Sequence, residues 1–472
     1  MPIELTQIEF FIVFCNFFTN NAIIFVVISN FISIFVTKSQ KYTKMIREFW
    51  VENYLSIKER QTLNFETKSK EDDWASVDMG GERRVNKIAV IYGANASGKS
   101  NMLLAIQNVF ELLFLSNSKR TSMVHTRKPF ALSSDQPTKM YVSFYAFGIR
   151  YDYEIEYTKE YIISEKMDWY PNKSKALFYE RHFVSDESQI ELKFGPGLGI
   201  TSKTKDVFLQ NTLNNHSVLS TFEKTSFDSD AKPVADLYKW MALYMHEGNT
   251  IQSPIIRMMK KVENDEKMKR FFLQLLNKAD FNIVGFHTET ITEEVPVGQL
   301  TMFDESITAP EDGMAQVRKT KLFFEHGAGK DSFLMDSNSE SQGTKKIISN
   351  LFVLYKAITE NHIFLLDEID SELHDDLLLF YLNTFVMNSK GSQLIFTSQE
   401  MSLLHEDLLN THRDFVFFTE KNRKGAYSEY TRADAFGLHK NLSLYNSYKV
   451  GRLGALPQLG SPLLYLENDE ED

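Results

Sequence analysis

The chain has 472 residues, 43% of them apolar, which is enough for a large core and, by length, for two or three domains. A formal net charge of −11 excludes a body held to nucleic acid by bulk electrostatics, although 52 Lys and Arg leave room for a local basic patch. A single Cys excludes a disulfide framework and a Cys-rich zinc site, and fits a reducing cytoplasm.

Residues 1–44 stand apart from the rest. Ile8–Val36 is rich in Phe, Ile and Val, carries no charge after Glu9, and is followed by Lys38, Lys41 and Lys44. Length and hydropathy make it a candidate membrane segment with a cytoplasmic basic flank. Against this, Asn16, Asn20, Asn21 and Asn30 interrupt the run, and polar groups inside a bilayer are costly. Phe, Ile and Asn also share A/T-rich codons, so translated upstream DNA would have this composition. A dispensable or mis-started extension is the first reading, a membrane anchor the second, and a buried or interface helix the third.

Met45–Phe65 alternates in strand fashion around a polar turn near Lys58–Gln61. After a loop through Gly80-Gly81, Asn86–Tyr92 is a short apolar run suited to a buried parallel strand. Gly93-Ala94-Asn95-Ala96-Ser97-Gly98-Lys99-Ser100 then satisfies G-x-x-x-x-G-K-[ST] in full, ahead of the helical pattern Asn101–Leu115. Glycines at both ends let backbone N–H groups approach a phosphate, and the helix N-terminus adds partial positive charge. Gly93–Asn101 is therefore the candidate stretch for ATP, with Lys99 on the β- and γ-phosphates and the Ser100 hydroxyl on Mg²⁺.

Met140–Tyr157 predicts a hairpin turning at Gly148, and Ile162–Tyr170 and Ala176–His182 predict further strands of one meander. The cluster Gly195-Pro-Gly-Leu-Gly199 reads as an ordinary turn. Residues 204–279 turn helical and divide a nucleotide-binding domain into halves at 45–203 and 280–460. Asp280–Thr288 and Thr320–His326 read as strands, with Glu293–Gly313 between them as a mobile polar loop. The mixed-sign run Lys260–Arg270 reads as a solvated helix face. No sustained heptads are present. Residues 461–472 form an acidic tail.

Ser341-Gln342-Gly343-Thr344 opens a predicted helix, Gly343–Thr359. A small polar residue and a Gly at a helix N-terminus make a second anion site. Because the phosphate loop already fills the site in cis, this one would serve the γ-phosphate bound to a facing copy. Ile363–Leu366 is a strand buried on both faces, and it delivers Asp367 and Glu368. Asp367 would hold Mg²⁺, and Glu368 would polarise the attacking water, an effect worth about 10²–10⁴-fold. Gln393–Thr397, Phe415–Thr419 and Tyr427–Tyr430 complete the strands.

The order Gly93–Ser100, Ser341–Thr344, Asp367-Glu368 resembles the ABC-type ATPase heads of SMC and RecF proteins. The implied fold is an α/β P-loop head with an antiparallel β subdomain and an inserted helical subdomain. Glu48–Ile57, Pro129-Phe130, Glu340–Thr344, Asp367–His374 and Gly451–Pro457 resemble the AbiLi/RloA group of bacterial anti-phage ATPases, and the ATPase subunits of PARIS systems are similar. The resemblance implies a self-associating cytoplasmic ATPase partnered with a TOPRIM-like nuclease from an adjacent gene, with DNA or a phage protein as a trigger. Where such ATPases carry a switch His, this chain has Gln399, which donates a hydrogen bond but holds no charge, so slow turnover is expected. His374 would contact a facing copy or cap the next helix. Gln136 is the candidate lid-loop glutamine. A RecF-like ATPase that clamps DNA without an effector is the alternative.

Overall fold

The computed structural model describes residues 43–247 and 255–456, apart from 68–73, 81–82, 118, 120, 125–127, 173, 185–188, 297–304, 307–313, 423 and 440. The hydrophobic run at 8–36, Pro457 and the acidic tail lie outside the described residues. The first strands, β1 (Met45–Glu52) and β2 (Gln61–Asn64), pair antiparallel with Phe49 opposite Leu63. Short strands β3 (Glu66–Thr67), β4 (Ser76–Asp78) and β5 (Arg84–Asn86) form a small sheet and lead into β6 (Ile88–Tyr92), in which all five side chains are buried. The phosphate-loop motif then turns the chain into α1 (Lys99–Phe114).

The expected hairpin is present as β7 (Thr138–Ala146) and β8 (Ile149–Tyr157), turning through Phe147 and Gly148, both at positive φ. The meander continues through β9 (Ile162–Trp169) and β10 (Ala176–Val184). A further strand, β11 (Gln189–Phe194), extends it beyond those anticipated; its signal was the alternation of Ile190, Leu192 and Phe194 with polar residues. With β1 and β2 these make a seven-stranded antiparallel sheet in the order β11-β10-β9-β8-β7-β1-β2.

Residues 202–278 contain α2 (Ser202–Asn211), α3 (Lys232–Glu247), α4 (Ile255–Glu263) and α5 (Glu266–Lys278). Two cores share them. Phe208, Leu237 and Trp240 pack with the seven-stranded sheet and α1, whereas Met259, Phe272 and Leu276 join the core built on the later helices.

The expectation of a polar loop over Glu293–Gly313 needs correction at Glu293–Pro296 and Glu305–Ser306, which are strands; residues 297–304 and 307–313 of that stretch lie outside the described residues. Strand β12 (Ile283–Pro296) runs past Glu293 and pairs antiparallel with β14 (Met314–Ala328), as far as Pro296 opposite Met314; β13 (Glu305–Ser306) also pairs with β14. Along Glu289–Glu294, where the side chains are exposed or half-buried, strand pairing needs no apolar alternation. The β-branched residues and cross-strand charges, such as Lys321 3.2 Å from Glu293, suffice.

After β15 (Asp331–Asp336) come α6 (Gln342–Thr359), β16 (Ile363–Leu366), α7 (Asp375–Asn388), β17 (Gln393–Ser398), α8 (Asp407–Thr411), β18 (Val416–Lys421), β19 (Ser428–Arg432) and α9 (Leu444–Lys449). The second main sheet has the order β16-β17-β6-β18-β19, parallel except for β19. Helices on such a sheet bury both its faces, which explains the continuous apolar runs. The two large sheets are joined by the buried Gln393 side chain. It accepts from the Ile46 N–H at 2.8 Å and donates to the carbonyls of Ile46 (3.0 Å) and Asn86 (3.1 Å). The fold is therefore α/β, with the carboxyl ends of β6, β16 and β17 at one edge, where a parallel sheet gathers ligand-binding loops.

Candidate nucleotide-binding site

The phosphate loop leaves β6 and closes tightly. Gly98, at φ 109°, and Ala96, at φ 61°, are left-handed, a combination that turns successive N–H groups toward a common centre. A Cβ at Gly93 would lie 2.5 Å from the Thr419 carbonyl, and one at Gly98 would meet the Ser428 hydroxyl, so neither glycine has room for a side chain. Lys99 is only 6% exposed, and its Nζ donates to the carbonyls of Gly93 (2.9 Å) and Ala94 (3.1 Å). Burial lowers its pKa, while the charges of Glu368, Asp367 and Asp370 pull it back up. Ser97 Oγ is buried with no hydrogen-bond partner among the described residues, a polar atom that a bound phosphate would satisfy. Ser100 occupies the first turn of α1, and Asn101 donates to Ser56 Oγ at 2.7 Å, so its amide braces the loop 53–57. Asn95 is exposed at the loop tip, beside the half-buried Ala94.

Distant parts of the chain hold the loop's outward carbonyls. The Ser97 carbonyl accepts from Ser428 Oγ (2.5 Å) and Thr419 Oγ1 (3.3 Å), and the Gly98 carbonyl accepts from the Tyr430 hydroxyl (2.7 Å). The Ala94 N–H donates to the Ala455 carbonyl at 3.0 Å, which also accepts from Tyr448 at 3.1 Å. The stretch Gly451–Leu456, singled out in the sequence by resemblance alone, thus packs under the phosphate loop. Asn53 in the stretch Glu48–Ile57 is likewise structural. Its side chain donates to the carbonyls of Ser133, Gln136 and Pro137 and accepts from the Phe130 N–H and the Ser133 hydroxyl.

The carboxylates arrive from β16. Thr397 Oγ1, on β17, donates to Asp367 Oδ1 at 2.5 Å and accepts from the Glu368 N–H at 2.8 Å. Glu368 itself is left-handed at φ 47°, a costly conformation for a residue with a side chain. Gln399 Nε2 donates to Glu368 Oε1 at 3.2 Å. A residue that the sequence did not single out, Asp370, binds the start of the same loop: its Oδ2 accepts from the N–H groups of Gln399 (2.7 Å) and Glu400 (2.8 Å) and from Ser398 Oγ (3.0 Å). The hints were its place two residues after Glu368 and its membership of the stretch Asp367–His374.

Ser341 is the N-cap of α6, where its Oγ accepts from the Thr344 N–H at 3.0 Å and lies 2.8 Å from Thr344 Oγ1. Gly343 sits against the loop after Glu368, since a Cβ there would lie 2.7 Å from the Glu372 carbonyl. Lys346, in the first turns of α6, donates to the Glu368 carbonyl at 3.3 Å. Within the chain, His374 takes the capping role: its Nδ1 accepts from the Asp376 N–H at 3.3 Å at the start of α7, and its side chain is 78% exposed. Gln136 is exposed beside Asp135, to which its amide donates at 3.3 Å.

Lys99, Asp367 and Glu368 thus share one electrostatic neighbourhood, with Gln399 on the glutamate. The donor set fits Mg-nucleotide: a hydroxyl on Ser100, a carboxylate on Asp367, and an anion cradle with an unpartnered hydroxyl inside it.

The sequence profile of the family described as "AAA domain, putative AbiEii toxin, Type IV TA system" matches residues 88–405, a span running from β6 through the phosphate loop and Asp367-Glu368 to just beyond Gln399. No curated protein sequence matches the chain. Among solved structures, the SMC head domain from Thermotoga maritima is similar at 13% identity and a TM-score of 0.36, covering 82% of this chain and 98% of that one. The Smc head domain with a coiled coil and joint from Pyrococcus yayanosii is similar at 12% identity and a TM-score of 0.36, covering 86% and 99%.

Proposed function

The chain belongs to the AAA-domain family whose profile spans residues 88–405, and on that premise we propose that it binds and hydrolyses Mg-ATP between two head-to-tail copies of itself. The observation that carries this reading is that the parallel order β16-β17-β6 brings the phosphate loop with Lys99, and Asp367 and Glu368, to the carboxyl ends of one sheet, with Glu368 held by Gln399. Backbone N–H groups of Asn95–Ser100 receive the phosphates, and Lys99 offsets their charge. Ser100 and Asp367 would hold Mg²⁺, which would supply further charge neutralisation at the phosphates. Glu368 orients water and accepts its proton as the water oxygen bonds to the γ-phosphorus and the bond to the ADP oxygen breaks. Ser341, Gly343 and Thr344, at the N-terminus of α6, complete the site of a facing copy, and His374 lies on the same interface.

Glu368→Gln tests the assignment. It retains the shape and the bond from Gln399 but cannot take a proton, so turnover should fall about 10²–10⁴-fold with nucleotide still bound. Unchanged turnover would remove Glu368 from the mechanism.

The finer reading is that ATP binding and turnover make this chain a cytoplasmic sensor and scaffold for a separately encoded TOPRIM-like nuclease in phage defence, answering to DNA or a phage protein. Its support is the set of motifs shared with the AbiLi/RloA group. No helix among the described residues is long and apolar enough to cross a membrane. Co-purification with the product of the adjacent gene is the measurement: a TOPRIM-type partner supports the reading. A lone ATPase stimulated by DNA favours the RecF-like alternative.

A further inference from the structure

We infer that Asp370 is a positioning residue, a carboxylate clamp that fixes the loop after β17 so that the Gln399 amide meets Glu368; this rests on the proposed catalytic role of Glu368. Three donors converge on one Asp370 oxygen: the consecutive N–H groups of Gln399 and Glu400, at 2.7 and 2.8 Å, and Ser398 Oγ, at 3.0 Å. Consecutive N–H groups pointing at one oxygen form a small anion nest, and charge-assisted bonds of this length are the strong kind. The Ser398 hydroxyl closes the arrangement by accepting from the Glu400 N–H at 3.0 Å.

The clamp acts on a segment that needs one. Glu368 and Glu372, on either side of Asp370, are both left-handed, at φ 47° and 65°. Non-glycine residues keep that conformation only where surrounding bonds over-determine it. Here those bonds run between the loops that leave β16 and β17. The Ile369 N–H donates to the Thr397 carbonyl at 3.2 Å, the Glu368 N–H to Thr397 Oγ1, and the nest of residues 398–400 grips Asp370. Of these, only the Asp370 nest fixes the backbone of Gln399 itself. Its side chain touches neither the phosphate loop nor Glu368 in any bond described above, so its effect passes through Gln399.

Consequently, losing the clamp should damage turnover and spare nucleotide affinity, because no hydrogen bond on the phosphate loop involves it and its charge is the weakest of the three carboxylate charges that act on Lys99. Asp370→Ala should lower kcat on the order of tenfold or more, with the Kd for ATP unchanged within about twofold. In a Gln399→Ala background the same substitution should cost less than about twofold, since the residue it positions is already gone. Asp370→Asn keeps one acceptor oxygen and should restore part of the rate. Hydrogen exchange of peptides covering 398–401 should accelerate in Asp370→Ala while those of β6 and β17 stay protected, and this reads the clamp even if the chain turns over no ATP. Equal rate losses in both backgrounds, or unchanged exchange at 398–401, would overturn the inference. Loss of protection throughout β17 in Asp370→Ala, with no recovery in Asp370→Asn, would mean a general folding role and overturn it as well. A wild-type chain without turnover overturns the proposed function instead.

Discussion

Replacing Arg181 with Met should cost the chain about 3–5 kcal/mol, the range for breaking one side of a buried ion pair. The guanidinium is fully buried on β10 and donates to the carbonyls of His216 (2.5 Å), Asn214 (3.0 Å) and Leu213 (3.1 Å), and to Glu165 at 3.4 Å. Glu165, equally buried on β9, also accepts from Tyr179 (2.5 Å), Ser217 Oγ (2.6 Å), the Val218 N–H (3.1 Å) and Tyr153 (3.2 Å). Burial first, and then the Glu165 charge, raises both phenols well above their usual pKa, so they remain donors. Met fills a similar volume but leaves three carbonyls without this donor and a carboxylate without its cation. Unfolding in urea, followed by tryptophan fluorescence, reads the loss, because Trp50, Trp169 and Trp240 all belong to this sheet and its helices. Adding Glu165→Gln to Arg181→Met should recover part of it, since the uncompensated charge is then gone. A cost under about 1 kcal/mol, or no recovery in the pair, would refute the reasoning.

Gln393→Met should destabilise by roughly 3 kcal/mol in the same assay, because it strips partners from three buried backbone groups that join the two large sheets. Lys87 is buried, with Nζ donating to the carbonyls of Ser389 (2.6 Å) and Val386 (3.0 Å), and burial, followed by Arg84, lowers its pKa to about 8. The unfolded chain therefore holds more protons above pH 8, so stability attributable to Lys87 should rise from pH 8 toward 10, and the wild type should gain on Lys87→Met over that window. Ser341→Ala removes the cap on the Thr344 N–H, worth about 1 kcal/mol, and should abolish ATP-dependent pairing of Glu368→Gln chains in light scattering while ATP still binds.

What the sequence made legible follows from burial. The runs Ile88–Tyr92, Ile363–Leu366 and Gln393–Thr397 announced their strands because parallel strands covered on both faces must be apolar throughout. The phosphate loop was legible because its backbone tolerates so few residues at Gly93 and Gly98. The inner part of the ribbon β12–β14 was legible as strands at Asp280–Thr288 and Thr320–His326, but its outer part, Glu289–Pro296 against Met314–Lys319, was not, since a solvated pair of strands can be as polar as a loop. Asp370 was equally silent: its meaning lies in N–H groups 29 and 30 positions away, and backbone donors leave no mark in a sequence. The use of Gly451–Ala455 under the phosphate loop was hidden for the same reason, as Ala455 acts through its carbonyl.

The distance along the chain between the phosphate loop and its braces has a consequence for biosynthesis. The Ser97 carbonyl waits for Ser428, 331 positions later, and the Ala94 N–H for Ala455. At a translation rate of roughly 5–20 residues per second, about 17 to 70 seconds pass between the two. During that interval the nascent chain carries the glycine-rich sequence without the hydroxyls that shape it. A messenger broken before residue 416 would then yield a product whose phosphate-loop sequence lacks Thr419, Ser428, Tyr430 and Ala455, the residues that hold its backbone in the intact chain.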